Sequence, residues 1–284
     1  MSSKTEQLKA LFEDETLHLT PCCWDALSAK LIGQAGFSLT FMSGFVVSAS
    51  RLGMPDTGLI SFGEMVDQAR NIAGAVSIPV IGDGDTGFGN AMNVKRTVKA
   101  YADAGMACIM IEDQVAPKRC GHTRGKQVVS RDEALLRIRA AVDAKDEGAD
   151  ILILARTDAR EAHGLTEAID RAVGFREIGA DITFIEAPCN EKELHRICNE
   201  VDGPRMVNIV EGGKTPSLSP AVLQDIGFSI ATYPLTGLMA AIAAINGTLD
   251  ELKAGRLPEP PMGFEALQRL VGFEEYFEAE RRYL

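Results

Sequence analysis

The chain has 284 residues, 46% hydrophobic and 24% charged, a normal globular balance with enough apolar residues for a sizeable core. Its formal net charge of −11 disfavours nucleic acid as the main partner, because phosphate binding needs clustered cations. Anionic small molecules stay open, since a bound cation and a few arginines make a pocket locally positive on an acidic protein.

The first residues, MSSKTEQLKALFEDETLHL, lack the apolar core of a signal peptide. No later run is apolar for the ~18–20 residues a membrane helix needs. The expectation is a cytoplasmic protein without a membrane partner. Six cysteines without zinc-finger spacing are expected to be thiols in a reducing compartment.

One rhythm then runs along the chain: a glycine, a β-rich apolar run, and polar residues after it. LHLTPCCW (17–24) comes first, ahead of a helix-like stretch from Ala26 to Ala35. AGFSLTFMSG (35–44) follows, then a helical segment over 62–75 and the run SIPVIGDGD (77–85). AGMACIMIED (104–113), GADILILARTD (148–158) and GADITFIEA (179–187) repeat the pattern. A helix over 191–200 leads to RMVNIV (205–210), and IGFSIATYP (226–234) closes the series. Gly36, Gly105, Gly148, Gly179 and Gly227 fall where helices end, the left-handed position that glycine accepts. The runs suit strands buried on both faces of a parallel sheet. Eight βα units predict a closed (β/α)8 TIM-type barrel, which takes roughly 250 residues as one domain. No GxGxxG lies between a strand and a helix, which lowers a dinucleotide reading.

Ser43, Asp83, Asp85, Glu112, Arg156, Glu186, Asn208 and Thr232 all lie at or just beyond the C-terminal end of a predicted strand. In such barrels that end carries the chemistry. The expected organisation is a catalytic barrel over 1–245 and a C-terminal linker and helix over 246–284. The linker contains GRLPEPPMG, which should be extended and stiff. FEALQRLVGFEEYFEAERRYL reads as one amphipathic helix with Phe264, Leu267, Leu270, Val271 and Phe277 on its apolar side, suited to packing on a neighbouring subunit.

Asp83 and Asp85 end the third run, and Glu112 and Asp113 end the fourth. Adjacent parallel strands bring such groups together. Mg²⁺ prefers oxygen ligands and keeps several waters, so the expected metal set is Asp85 directly, with Asp83 and Glu112 mainly through water. Read singly, any of these acids could instead cap a helix or pair with a cation.

DQVAPKRCGHTRGKQVVS (113–130) shows little helix or strand pattern. Typical βα loops have ~2–6 residues, and longer ones tend to be functional lids. Within it Cys120 sits between Lys118–Arg119 and Gly121–His122, and neighbouring cations favour a thiolate. Such a group can deliver or accept a proton. Cys22, Cys23, Cys108, Cys189 and Cys198 read as small buried thiols.

With these residues assembled, the chain resembles the isocitrate lyase/phosphoenolpyruvate mutase superfamily over nearly its whole length. The segments that carry the resemblance are SGF (43–45), GMPD (53–56), GDGDTGFGNAMNV (82–94), IEDQ (111–114), KRCGH (118–122), ARTDA (155–159) and NIVEGGKTP (208–216). KRCGH points to the lyase branch, and NIVEGGKTP is similar to the group of 2,3-dimethylmalate lyase and petal death protein, beside the methylisocitrate lyases. The resemblance implies Mg²⁺ (or Mn²⁺) and a homotetramer that exchanges C-terminal helices. It implies that Ser43, Gly44 and Phe45 bind a substrate carboxylate through backbone N–H groups. Asp56, Asp83, Asp85 and Glu112 would form the metal site and its shell. Arg156, Glu186, Asn208, Gly121 and His122 would hold the substrate, with Cys120, His122, Arg156 and Lys118 as the catalytic set.

The implied reaction cleaves a substituted malate or other 2-hydroxy di- or tricarboxylate to a 2-oxo acid such as pyruvate plus a carboxylate, and Cys120 protonates the carbanion. One departure bears on the substrate: methylisocitrate lyases place a tyrosine where this chain has Phe41, which cannot take a proton. The nearest rival is an oxaloacetate hydrolase or decarboxylase on the same barrel; Pro234 stands where the hydrolase branch tends to carry serine. A silent barrel with a binding role predicts decay of the site, yet the acids, Arg156 and Cys120 are all present.

Overall fold

Each apolar run becomes one short parallel strand. In chain order these are β1 (His18–Cys23), β2 (Thr40–Met42), β3 (Val80–Asp83), β4 (Cys108–Glu112), β5 (Leu152–Thr157), β6 (Ile182–Ile185), β7 (Arg205–Asn208) and β8 (Ile230–Tyr233). They pair in sequence order, and β8 closes on β1 with His18 opposite Ile230. The protein is thus a closed eight-stranded α/β barrel, as the spacing predicts. These coordinates are a computed structural model that describes residues 2–14, 16–121, 125–259 and 262–284.

The helices are α1 (Lys4–Ala10), α2 (Ala26–Gln34), α3 (Gly44–Leu52), α4 (Phe62–Ala75), α5 (Ala91–Asp103), α6 (Arg131–Asp146), α7 (Ala159–His163), α8 (Leu165–Ile178), α9 (Glu191–Glu200), α10 (Pro220–Ile226), α11 (Thr236–Lys253), α12 (Phe264–Val271) and α13 (Phe273–Glu280). Capping boxes start α2 at Asp25 with Ser28 and α4 at Ser61 with Glu64, satisfying amide donors that have no partner inside the helix. Gly179 and Gly227 end α8 and α10 at φ +112° and +107°, the conformation expected of them.

Strand side chains alternate between the two faces, and both faces are apolar. Ile109, Ile111, Ile153 and Ala155 point outward and pack with the helices. Phe41, Ile81, Met110, Leu154, Phe184, Met206 and Ile230 fill the barrel interior, and fully buried Leu8 of α1 belongs to the same cluster. The Thr5 hydroxyl donates to the Asp150 carbonyl at 3.1 Å, fixing α1 beside the start of β5.

The chain divides into two compact units, Met1–Gly237 and Leu238–Leu284. Helix α11 runs through residue 245, where the sequence analysis ends the barrel. The single C-terminal helix expected there is two. Gly272 takes φ +92°, caps α12 and turns the chain into α13, because a glycine in the left-handed region ends the helical ladder. Phe264, Leu267, Val271 and Phe277 of these helices are exposed. Among the described residues no helix is long and apolar enough to cross a membrane.

Candidate active site

A period of two builds the barrel mouth. Ser43, Asp83, Glu112, Arg156, Glu186, Asn208 and Thr232 each stand two residues after an interior apolar side chain, from Phe41 before Ser43 to Ile230 before Thr232. Each therefore continues the inward face of its strand to the C-terminal rim. Glu112 lies opposite Arg156, and Asn208 opposite Thr232. Asp113, one residue on, faces outward. Its carboxylate accepts from the Thr157 hydroxyl (2.6 Å) and the Asp158 N–H (2.8 Å), and pairs with Arg171 (2.9 Å). Both partners of that pair are buried, so Arg171→Met strands a carboxylate and should cost about 3 kcal/mol in urea unfolding.

The loop after β3 turns sharply over β4. The Gly84 N–H donates to the Met110 carbonyl, and the Glu112 N–H to the Asp85 carbonyl, both at 2.9 Å. A side chain at 84 would put its Cβ 2.7 Å from the Met110 carbonyl oxygen, so only glycine fits. Asp85 takes φ +49°, uncommon for a residue other than glycine and best tolerated by Asn and Asp. This turn brings Asp85 beside Asp83, Asp56 and the Lys118 ammonium. Lys118 Nζ lies 2.6 Å from Asp56 Oδ1 and 2.8 Å from Asp85 Oδ1, with all three side chains buried. Adjacency in sequence points Lys118 at Cys120; in the fold its charge is committed to these acids.

Electrostatics here are strongly perturbed. Burial pushes the Asp85 carboxyl up to about 7; Lys118 opposes the rise while Asp83 and Asp56 add to it. Burial likewise pushes Glu112 well above the usual carboxylate range, against the pull of Arg156. Burial would lower Lys118, but Asp85, Asp56, Asp83 and Glu112 outweigh it and hold the ammonium above its ordinary value. Glu112 Oε1 is buried without a hydrogen-bond partner, and Asp56 Oδ1 and Asp85 Oδ1 accept no hydrogen bond of directed geometry. Such an oxygen-only set suits a hard cation such as Mg²⁺. Among the described residues no group of three or more Asp, Glu, His or Cys side chains is arranged to hold a metal ion.

Asp83 also occupies the start of α3. Its Oδ2 accepts from the Gly44 N–H at 2.9 Å, and its Oδ1 from the Asp85 N–H at 3.1 Å. The amide expected to meet a substrate carboxylate is thus engaged by Asp83.

Arg156 is the hub of the opposite wall. Its Nε lies 3.3 Å from Glu112 Oε2 and 2.9 Å from Asp158 Oδ2, and its Nη2 3.0 Å from Asp158 Oδ1 and 3.1 Å from Glu186 Oε2. The guanidinium also sits 5.3 Å from the Phe184 ring centroid. Burial opposes its charge, but Asp158, Glu112 and Glu186 hold it above its usual pKa. Asp158, which grips Arg156, and its second partner, Lys126, are not singled out by the sequence; an Asp after a strand and a lysine in a basic loop carry no distinguishing pattern. Asn208 Oδ1 accepts from the Thr232 hydroxyl at 3.3 Å, which orients its amide.

A cleft of about 190 Å³ opens between these walls. A cleft of this size suits a small acid. Ser43, Phe45, Asp56, Asp83, Glu112, Lys118, Cys120, Gly121, Arg156, Glu186 and Asn208 line it, with Val210, Pro234 and Leu235 as an apolar side. Cys120 is half-buried at its edge. A Cβ at Gly121 would lie 2.3 Å from Glu186 Oε2 and 2.5 Å from Arg156 Nη2. Gly121→Ala should therefore push the loop off the site and lower kcat at least ~10²-fold in steady-state assays, with little change in melting temperature. His122 lies outside the described residues. One expectation about the other thiols is corrected: Cys189 is exposed and Cys198 only half-buried, because Cys189 follows Pro188 in the loop beyond β6 and the Cys198 side chain sits at the edge of its helix's packed face.

An eight-stranded barrel that gathers acids, an arginine and a cysteine around one small cleft at its C-terminal mouth defines an α/β-barrel enzyme. The family model described as phosphoenolpyruvate phosphomutase matches residues 8–253, and the chain belongs to the phosphoenolpyruvate mutase/isocitrate lyase superfamily. It is 42% identical to a 2,3-dimethylmalate lyase of Eubacterium barkeri over 98% of this chain and 97% of that protein. Among solved structures, an oxaloacetate acetylhydrolase bound to 3,3-difluorooxalacetate superposes with a TM-score of 0.95 at 35% identity, covering 99% of this chain and 97% of the other. A phosphonopyruvate hydrolase complexed with oxalate and Mg²⁺ superposes with a TM-score of 0.88 at 30% identity, covering 99% of each chain.

Proposed function

We propose that this chain is a Mg²⁺-dependent carbon–carbon lyase that cleaves a substituted malate, of the 2-alkylmalate, dimethylmalate or methylisocitrate type, to a 2-oxo acid such as pyruvate plus a carboxylate. The observation that carries this reading is the position of Cys120 and Gly121 on the wall of the same small cleft as Asp56, Asp83, Glu112 and Arg156. Asp85, Asp83 and Glu112 would hold Mg²⁺ (or Mn²⁺), which would supply Lewis acidity to lower the pKa of the substrate's C2 hydroxyl. Lys118 keeps Asp56 and Asp85 in place and partly neutralised. The start of α3 receives one substrate carboxylate at Ser43 and Phe45, beside the Gly44 N–H that Asp83 engages. Arg156, His122 and Asn208 hold the charge that develops as the C2–C3 bond breaks, with Glu186 fixing the arginine. Cys120 then gives its proton to the carbanion, and the closed loop keeps out water that would compete.

Exposure of Phe264, Leu267, Val271 and Phe277 supports a homotetramer in which the C-terminal helices pack on a neighbouring subunit. A second reading is oxaloacetate hydrolysis, since the acetylhydrolase superposes as well as a 2,3-dimethylmalate lyase does. Incubating the Mg²⁺-loaded protein with a panel of 2-alkylmalates and with oxaloacetate separates the two. Chelator-sensitive pyruvate release from a substituted malate is expected. Oxalate plus acetate from oxaloacetate would favour hydrolysis, and no turnover of either class would overturn both.

A further inference from the structure

Lys126 is a loop lysine whose side chain is only 1% exposed. An ammonium taken out of water persists only where partners replace its hydration. Its partners come from two parts of the barrel mouth. Nζ donates to the carbonyl of Gly121 in its own loop, and to Asp158 Oδ1 at 2.9 Å beyond the end of β5. Glu161 of α7 lies 3.3 Å away, and Glu161 in turn pairs with Lys214 of the loop after β7 at 2.7 Å.

The two main partners matter to the site. Asp158 grips Arg156 through both carboxylate oxygens. Burial works against its charge, yet Arg156 and Lys126 outweigh burial and hold the carboxyl well below its usual range. Gly121 packs so tightly against Glu186 and Arg156 that no side chain fits there, and it directly follows Cys120. One ammonium thus bonds both to the residue beside the thiol and to the residue that orients the arginine.

We infer that Lys126 is a positioning residue for the reaction: it ties the Gly121 carbonyl to Asp158 and so sets where Cys120 and Gly121 stand against Arg156 and Glu186. The inference rests on the lyase reading for its effect on turnover, but its geometric content can be read without any substrate. Misplacing reacting groups by about 1 Å can cost ~10²-fold in rate.

The test is Lys126→Met, which keeps the apolar stem and removes the ammonium. Two readouts are taken: kcat and KM with an active substituted malate, and alkylation of each cysteine by iodoacetamide, followed by peptide mapping. Exposed Cys189 serves as the internal reference, and buried Cys22, Cys23 and Cys108 report unfolding. The expected result is a fall in kcat of roughly 10²-fold with KM changed only a few-fold. Cys120 should alkylate about tenfold faster as the loop loosens, while the buried thiols stay protected. Lys126→Arg, which keeps the charge, should restore most of the alkylation protection.

Unchanged Cys120 alkylation in Lys126→Met would overturn the inference, as would faster alkylation with wild-type kcat. Faster alkylation in a protein whose wild-type form cleaves no acid would sink the lyase reading and leave the positioning contact standing. If the methionine variant does not fold, Glu161→Gln decides: it removes the outer ion pair and should raise Cys120 alkylation about two- to three-fold. No rise there would overturn the inference.

Discussion

Asp85→Asn should lose more than about 10³-fold in metal-dependent turnover while the protein stays at least as stable as the native chain. Two facts set this apart from an ordinary core substitution. Asn is one of the few residues that accept the φ of +49° found at this position, so the turn over β4 survives. The side chain is also a buried acid pushed up to about 7 by desolvation and crowded by Asp83 and Asp56, so removing its charge relieves repulsion. Lys118 keeps its 2.6 Å pair with Asp56. With Asp85 as the proposed direct ligand, its loss would remove the Lewis acid from the reaction, a contribution of several kcal/mol to the transition state. Melting curves with and without Mg²⁺ check the cause. A site filled at 100 times its Kd stabilises by about 2.7 kcal/mol, so Mg²⁺ should raise the melting temperature of the native protein and leave the variant unmoved. A variant that still responds to Mg²⁺ would place the direct ligand elsewhere.

Cys120→Ala is expected to lower kcat ~10²–10⁴-fold, the range for removing a positioned general acid. KM should change little, because in the proposed reaction the substrate's carboxylates are held by the start of α3 and by Arg156 and not by the thiol. The thiol is half-buried at the cleft edge, so stability should stay within about 0.5 kcal/mol. Single-turnover measurements locate the loss: the 2-oxo acid should still form, and protonation of the other product should become the slow step. Near-normal turnover would remove Cys120 from the chemistry and leave a neighbouring water or His122 as the donor.

Both substitutions probe residues that the chain announces before any fold is known. Asp85 stands in GDGDTGFG, and Cys120 stands in KRCGH, where the clustering of cations, glycines and a thiol is unusual enough to be noticed. Lys126 is different. It is a lysine among polar residues, and its worth comes from the Gly121 carbonyl and the Asp158 carboxylate, the latter 32 positions away. No linear pattern encodes that meeting. The grip of Asp158 on Arg156 and Lys126 is hidden in the same way, although Asp158 lies inside the ARTDA segment.

The eight strands and their order were determined locally. Parallel strands buried on both faces read as unbroken apolar runs, and glycines marking helix ends set their spacing. The same double burial hid which side of each strand faces in. Glu112 is a site candidate from the sequence, but apolar alternation does not separate it from Asp113; in the fold Glu112 enters the mouth and Asp113 anchors Arg171 outside it. Only closure of the barrel decided that parity, because where both faces are apolar the alternation carries no sign. The C-terminal segment shows the converse: its apolar spacing suited one helix, and the left-handed backbone of Gly272 broke it in two. The chain therefore determined the barrel, its acidic rim and its cysteine loop. The tertiary structure decided which acids meet Lys118, which carboxylates hold Arg156, and that Lys126 joins Gly121 to Asp158, because those pairings join loops far apart in sequence that come together only around a closed sheet.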